Sequence, residues 1–511
     1  MRRRLPTLIA AFLLAAALGA GHSPAALGGG RAAAASDGGH SGAARAQTGL
    51  AAARGFAASQ IVVKFAGERF GRAVPLPPGV GVRAAAAALR DNPRVAYATP
   101  NYIASISAAG AAPGSGGATA GKGKASAASE SEVLVPNDTG QIDPGGLPGG
   151  WVAKQWNFMP WAGSATALVP TSPGGIDAVG AWKNLEEAGR PGAAGVTVAV
   201  LDTGIAYRAL GSRFRRSPDF TARQFVPGYD FVEKDRLPLD KNGHGTHVAG
   251  TIAEKTDNGI ALTGLAYRAK LMPVRVLNRQ GEGRASVIAK GIRFAVSHHA
   301  DVINMSFNFE CGKEPPILEE ALRYAYRKGV VTVASVGNRF SEECVAPPAT
   351  GPRVIGVGGT TQGGCIGDYS LAGKAVDLVA PGGGRPRGEC PSLLVGSIYQ
   401  VTFQTSTNPL RFGEPPTYAG TSMAAAHVSG VAAMVIASGV VGRHPSPEAV
   451  QRRLQRTARS IGAKPNQQGA GLIDAGRATE LAPKGGEQGS QPATNPPKAA
   501  EPVADSAGSS R

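Results

Sequence analysis

Aromatic side chains are scarce in this 511-residue chain: Phe, Tyr and Trp make up only 6%. Such a chain has little material for order from end to end, and Gly 72 plus Pro 38 point the same way. Cysteine is limited to Cys311, Cys344, Cys365 and Cys390, with no CxxC or Cys/His spacing, which excludes the usual zinc frameworks. Acidic residues are few, 36 against 53 Lys and Arg, for a net charge of +17. No basic run is interleaved with aromatics, so the excess reads as compositional bias and no nucleic-acid partner is expected. Beyond the N-terminus no apolar run stands out as a bilayer span, so no stable membrane span is expected in a mature form. Wholly disordered, collagenous and multi-span membrane classes are excluded.

What is present begins with Arg2, Arg3 and Arg4, an apolar run from Leu8 to Ala20, and small residues through Ala26. This pattern predicts a secretory signal peptide over 1–26, with an N-terminal anchor as the alternative. The expected location is extracellular, or periplasmic if the host has an outer membrane. Four cysteines within one 80-residue window of an exported chain predict two disulfides. Three pairings are open. The sequential one, Cys311–Cys344 with Cys365–Cys390, is the expectation.

Composition divides the remainder. Residues 27–58 are low-complexity. Residues 59–107 form a small patterned unit, with strands at 60–65 and 94–98 and an Ala-rich helix from Val82 to Leu89. Residues 108–135 are a flexible linker, 136–481 are globular, and 482–511 are a disordered tail. In the globular part, apolar strands at 196–201, 270–277, 301–306, 330–335 and 354–357 alternate with helices at 286–298 and 317–328. That alternation predicts an α/β fold with a mostly parallel sheet covered on both faces. Ser446-Pro447-Glu448 opens a last helix with a capping Ser and Pro in the first turn.

Three segments carry chemistry. Asp202-Thr203-Gly204 puts a carboxylate at the C-terminal end of a buried strand, where open α/β sheets place their sites. His244-Gly245-Thr246-His247 puts a Gly-flanked imidazole at a helix start, while His247 reads as a packing residue. Gly420-Thr421-Ser422-Met423 puts a hydroxyl at the N-terminus of an apolar helix. Each is weak alone. A serine hydroxyl needs an imidazole to take its proton and a carboxylate to orient that imidazole. Asp, His and Ser occur here in that chain order, which differs from the α/β-hydrolase and chymotrypsin orders.

On these motifs, residues 136–480 resemble the subtilisin-like serine proteases. The resemblance implies a three-layer sandwich preceded by a small α+β inhibitor prodomain, 59–107, whose last strand is similar to Val95–Tyr102. It implies a serine endopeptidase acting on polypeptides through an acyl-enzyme, self-processed, and a monomer inhibited by its own prodomain. The carried-over roles are Asp202 as orienting carboxylate, His244 as general base then acid, and Ser422 as nucleophile. Asn338, in Gly337-Asn338 after a Val-rich strand, matches the side-chain oxyanion donor. Substrate-binding positions are Ser306, Phe307, Asn308, Ser335, Val336 and Gly337. The family's bare Ser-Leu-Gly-Gly is Ser306-Phe307-Asn308-Phe309 here, which predicts a narrowed or reshaped pocket. Val336 replaces a usual Ala, and Ala426 a frequent Pro. No cofactor is required for the chemistry. Structural calcium is expected at an acidic loop with Asp230, Glu233 and Asp235, and at a second site using Asp219 and Asn258.

Overall fold

The computed structural model describes residues 55–106, 135–142, 146–164, 169–339, 344–392, 394–405 and 407–481. The expected signal peptide and tail, and nearly all of the low-complexity segment and linker, lie outside the described residues.

The N-terminal unit comprises β1 (Phe56–Phe65), β2 (Arg72–Pro75), α1 (Val82–Arg90) and β3 (Val95–Ser105), with the strands antiparallel in the order β2-β1-β3. Ile61, Val63 and Phe65 alternate along β1 and share a core with Val82, Ala85, Ala86 and Leu89 of α1. These are the period-2 and i, i+3, i+4, i+7 patterns of a sheet packed on a helix. The strand expected at 94–98 runs on to Ser105, because its second half finds new partners. Ile103, Ala104 and Ser105 pair antiparallel with a short strand of the globular part, Glu282–Arg284.

The larger sheet has seven strands, all parallel. They are β4 (Thr197–Asp202), β5 (Tyr229–Asp230), β6 (Lys270–Arg275), β8 (Val302–Met305), β9 (Val331–Ser335), β10 (Val354–Thr360) and β11 (Leu378–Pro381), the Glu282–Arg284 strand being β7. Their spatial order is β11-β10-β9-β8-β4-β6-β5. Every residue of β8 to β11 is buried, as strands covered on both faces require. Helices α2 (Ala178–Glu187), α3 (His244–Ala253), α4 (Ala285–Ser297), α5 (Pro316–Arg327), α6 (Thr421–Ser438) and α7 (Pro447–Thr457) supply the cover. Helices α4 and α5 pack together, while α2, α3 and α7 each pack on α6. Ser446 caps α7, its Oγ accepting from the Ala449 N–H at 3.2 Å. Helix α6 is long and apolar enough by composition to cross a membrane, which the sequence reading did not register. Its side chains are almost all buried among the other helices and the sheet, so it is a core helix. The cysteines pair sequentially, Cys311–Cys344 and Cys365–Cys390.

One expected calcium loop is occupied differently. The β5–β6 register sets Asp230 beside Arg275. Arg275 Nη1 donates to Asp230 Oδ2 at 2.6 Å and to Glu233 Oε1 at 3.0 Å. Asp230 Oδ1 accepts the Val232 and Glu233 N–H groups, and Asp235 Oδ1 accepts that of Leu237. The sequence reading placed a metal at Asp230, Glu233 and Asp235. A buried guanidinium already pairs with the first two, and Lys241 pairs with Glu233 as well, which a sequence scan of the loop alone does not reveal. Removing the guanidinium leaves Asp230 buried without compensation. Arg275→Ala is therefore expected to destabilise the protein by about 3–5 kcal/mol, read as a lowered urea midpoint at unchanged slope.

Candidate active site

The C-terminal ends of three adjacent strands, β4, β8 and β9, deliver the chemistry-bearing segments to one edge of the sheet. Asp202 closes β4 and is fully buried. Its Oδ1 accepts the Thr203 N–H at 2.7 Å and lies 2.8 Å from His244 Nδ1. A carboxylate can only accept, so Nδ1 carries the proton and the lone pair is on Nε2. Asp202 Oδ2 is buried with no hydrogen-bond partner among the described residues.

His244 begins α3 and is held there by its neighbours. Asp240, which sequence reasoning missed, is the organiser. Its Oδ1 accepts from Thr203 Oγ1, Asn242 N and Gly243 N, and its Oδ2 from Thr246 N and Oγ1. Thr203 Oγ1 in turn accepts the Gly245 N–H. Gly245 is needed for this approach, since a Cβ there would lie 2.1 Å from the Gly204 carbonyl and 3.1 Å from Asp202 Cβ. An acidic residue four positions before the His was the available signal.

Ser422 sits in the first turn of α6, which packs against α3. Its Oγ donates to the Ser306 carbonyl at 3.1 Å, and Ser306 Oγ donates to the Ser422 carbonyl at 2.8 Å. In this arrangement no hydrogen bond joins Ser422 Oγ to His244. The Ser422 N–H, at the positive end of the helix, also has no partner among the described residues. Asn338 follows β9, and its Oδ1 accepts both the N–H and the Oγ–H of Thr421, at 2.8 and 2.7 Å. A backbone N–H can only donate, so the oxygen end is fixed there and the amide nitrogen is the outer end. It lies against Gly420, where a Cβ would come within 2.8 Å of Nδ2.

The other expected substrate positions divide. Asn308 and Gly337 border a cavity of about 140 Å³ with Asn338. Phe307 and Val336 are fully buried members of the core instead, because alternate residues of each segment point inward. The end of the 59–107 unit lies on Asn308. The Ser105 N–H donates to the Asn308 carbonyl at 2.9 Å, and the Asn308 N–H to that of Ser105 at 3.0 Å. The N-terminal unit thus lays an extended strand along the cleft between β7 and Asn308.

The remaining acidic candidates gather at a distance from the triad segments. Asn258 Nδ2 donates to Asp219 Oδ1 at 2.6 Å, and Asp138 accepts the Asp257 and Asn258 N–H groups. Burial drives the Asp219 carboxyl far above its usual range and Asp138 to about 6. Asp138 was missed because it is distant in sequence. Among the described residues no group of three or more His, Cys, Asp or Glu gathers for a metal.

A sequence model of the subtilase family matches residues 193–471. Thermitase of Thermoactinomyces vulgaris is 32% identical over 310 residues, 60% of this chain and 95% of that one. Subtilisin BL of Lederbergia lenta is 37% identical over 289 residues, 56% of this chain and 91% of that one. A thermophilic serine proteinase of Bacillus sp. (strain AK1) is 36% identical over 248 residues, 48% of this chain and about half, 54%, of that one. Among solved structures, a protease of Pseudoalteromonas arctica aligns with a TM-score of 0.53 at 28% identity, covering 68% of this chain and 99% of that one.

Two histidines beside the site stay neutral. Burial lowers His247 to about 3 and His427 to about 4. His427 Nδ1 faces the Met423 carbonyl and Nε2 the Asn157 amide nitrogen, which fits the neutral ring. The unfolded chain, titrating near 6.5, binds protons that these folded rings refuse. Stability is therefore fully present above about pH 6.5 and declines as pH falls toward the folded values. In Ser422→Ala protein, His427→Gln should reduce the slope of unfolding free energy between pH 6 and 4.5 by about 1.4 kcal/mol per pH unit, measured by urea titration at each pH.

Proposed function

The chain belongs to the subtilase family and is a serine-type endopeptidase, and on that premise we propose that Asp202, His244 and Ser422 cleave polypeptides through an acyl-enzyme. Ser422 turns about its side-chain torsion from the Ser306 carbonyl to His244 Nε2, which takes the hydroxyl proton as Oγ attacks the peptide carbonyl. The proton passes from Nε2 to the leaving amine. Water then repeats the sequence against the ester, with His244 again the base. Asp202 holds the imidazole by Nδ1 and stabilises its protonated form. The carbonyl oxygen becomes an oxyanion, and the donors facing it are Asn338 Nδ2 and the Ser422 N–H. The observation that carries this reading is the 2.8 Å contact between His244 Nδ1 and the buried Asp202.

A fluorophosphonate should label the processed protein at Ser422 and nowhere in Ser422→Ala. Folded, processed protein that never labels would overturn the reading. Asn338→Ala is expected to lower kcat by ~10²–10³-fold, the loss known for subtilisin's own side-chain donor.

The N-terminal unit serves as an intramolecular inhibitor. Its β3 occupies the cleft as a substrate strand would. Glu320 of α5 anchors it, accepting from Lys64 Nζ at 2.6 Å, Tyr97 Oη at 3.0 Å and the Gly71 N–H at 3.1 Å. A substrate strand in the register of Ser105 would set the residue two places further on opposite Ser306, whose carbonyl meets Ser422 Oγ. Self-processing is accordingly expected between positions 107 and 108, and N-terminal sequencing of the first processed form should begin at Ala108. The basic and apolar N-terminal pattern supports export, to the medium or the periplasm.

Asp138 and Asp219, with the Asn258 carboxamide turned to present its oxygen, would hold a structural calcium ion, backbone carbonyls completing the oxygen set. The ion would supply the positive charge that two buried carboxyls lack. Chelation is expected to lower the thermal midpoint of the Ser422→Ala protein, and Asp219→Asn to abolish that effect.

A further inference from the structure

Two chain segments run beside Ser422, Ser306–Phe309 and Ser335–Asn338, and one side chain crosses between them. Asn308 Nδ2 donates to the Ser335 carbonyl at 2.6 Å, and Ser335 Oγ donates to Asn308 Oδ1 at 3.1 Å. Both residues are buried. The face on which this bridge lies is fixed by the ladder. Ser105 and Asn308 exchange both backbone hydrogen bonds, so they are directly opposed and their side chains share a face. A substrate strand in that register sets the residue two places further on opposite Ser306. Side chains repeat every second residue, so that residue also points to the face of the Asn308 bridge. On the reading above, it is the residue whose carbonyl Ser422 attacks.

We propose that Asn308 is a specificity-determining residue, whose carboxamide shuts the inner end of the slot between the two segments and restricts the residue before the cleaved bond to Gly, Ala or Ser. The open space beside Ser105 touches Asn308, Phe309 and Gly337 but neither Ser335 nor Val336. A bulky side chain could enter further only by displacing Asn308, which would take the Asn308 donor from the buried Ser335 carbonyl and leave the Ser335 hydroxyl only the Phe307 carbonyl at 3.5 Å.

The test uses processed protein whose active fraction is titrated with a fluorophosphonate. Peptides differing only at the residue before the cut are compared by kcat/KM. Ala and Ser peptides are expected to exceed the Phe peptide by at least 50-fold. Asn308→Gly and Asn308→Ala should each reduce the Ala-to-Phe ratio at least tenfold, chiefly by raising the Phe value. Wild-type protein that cleaves the Phe peptide as fast as the Ala peptide would overturn the proposal, even if neither variant folds. So would two titratable variants that keep the wild-type ratio. Failure of wild-type labelling is a different outcome, which removes the catalytic reading itself.

Discussion

The site depends on one contact, between a fully buried carboxylate and an imidazole. Asp202 has been removed from water at the end of a central strand, with one oxygen shared by a backbone N–H and His244. A buried charge of this kind is costly without a partner that can become positive. The imidazole supplies that partner only when it takes a second proton. The fold thus holds His244 in the tautomer that leaves Nε2 able to accept. The Asp240 cluster and the bare Cα of Gly245 bring helix and strand near enough for this to happen.

A second constraint joins nucleophile and oxyanion donor. Thr421 holds Asn338 by two hydrogen bonds and receives the Gly337 N–H on its own hydroxyl. Ser422 is the next residue. The helix start and the end of β9 are therefore joined as one hydrogen-bonded unit, which holds Asn338 beside the residue preceding Ser422. The N-terminal unit exploits the same edge from outside. Its β3 gains backbone partners on both sides, β7 and Asn308, so strand pairing supplies affinity without side-chain specificity.

Much of this was legible in the sequence, for physical reasons. Strands buried on both faces are apolar without interruption, so β4, β6, β8, β9 and β10 were each visible to within a few residues. Chain order brought Asp202, His244 and Ser422 together as a candidate set, and the family resemblance added Asn338. The parts that stayed hidden depend on contacts between distant segments. Nothing local distinguishes Asp230 paired with Arg275 from Asp230 awaiting a cation. Asp138 joins Asp219 only through the fold. Phe307 and Val336 looked like pocket residues because their neighbours are, but the alternation along an extended segment turns them into the core. Helix α6 is uniformly apolar because it is enclosed on all sides, so composition alone cannot tell it from a membrane span.

The Cys311–Cys344 bridge ties the segment just beyond Phe309 to the segment just beyond Asn338. The two walls of the cleft are thus covalently stapled at one end, whereas every contact among Asp202, His244 and Ser422 is non-covalent. The spacing of those two segments is held by a covalent tie, and the alignment of Asp202, His244 and Ser422 by hydrogen bonds and packing alone.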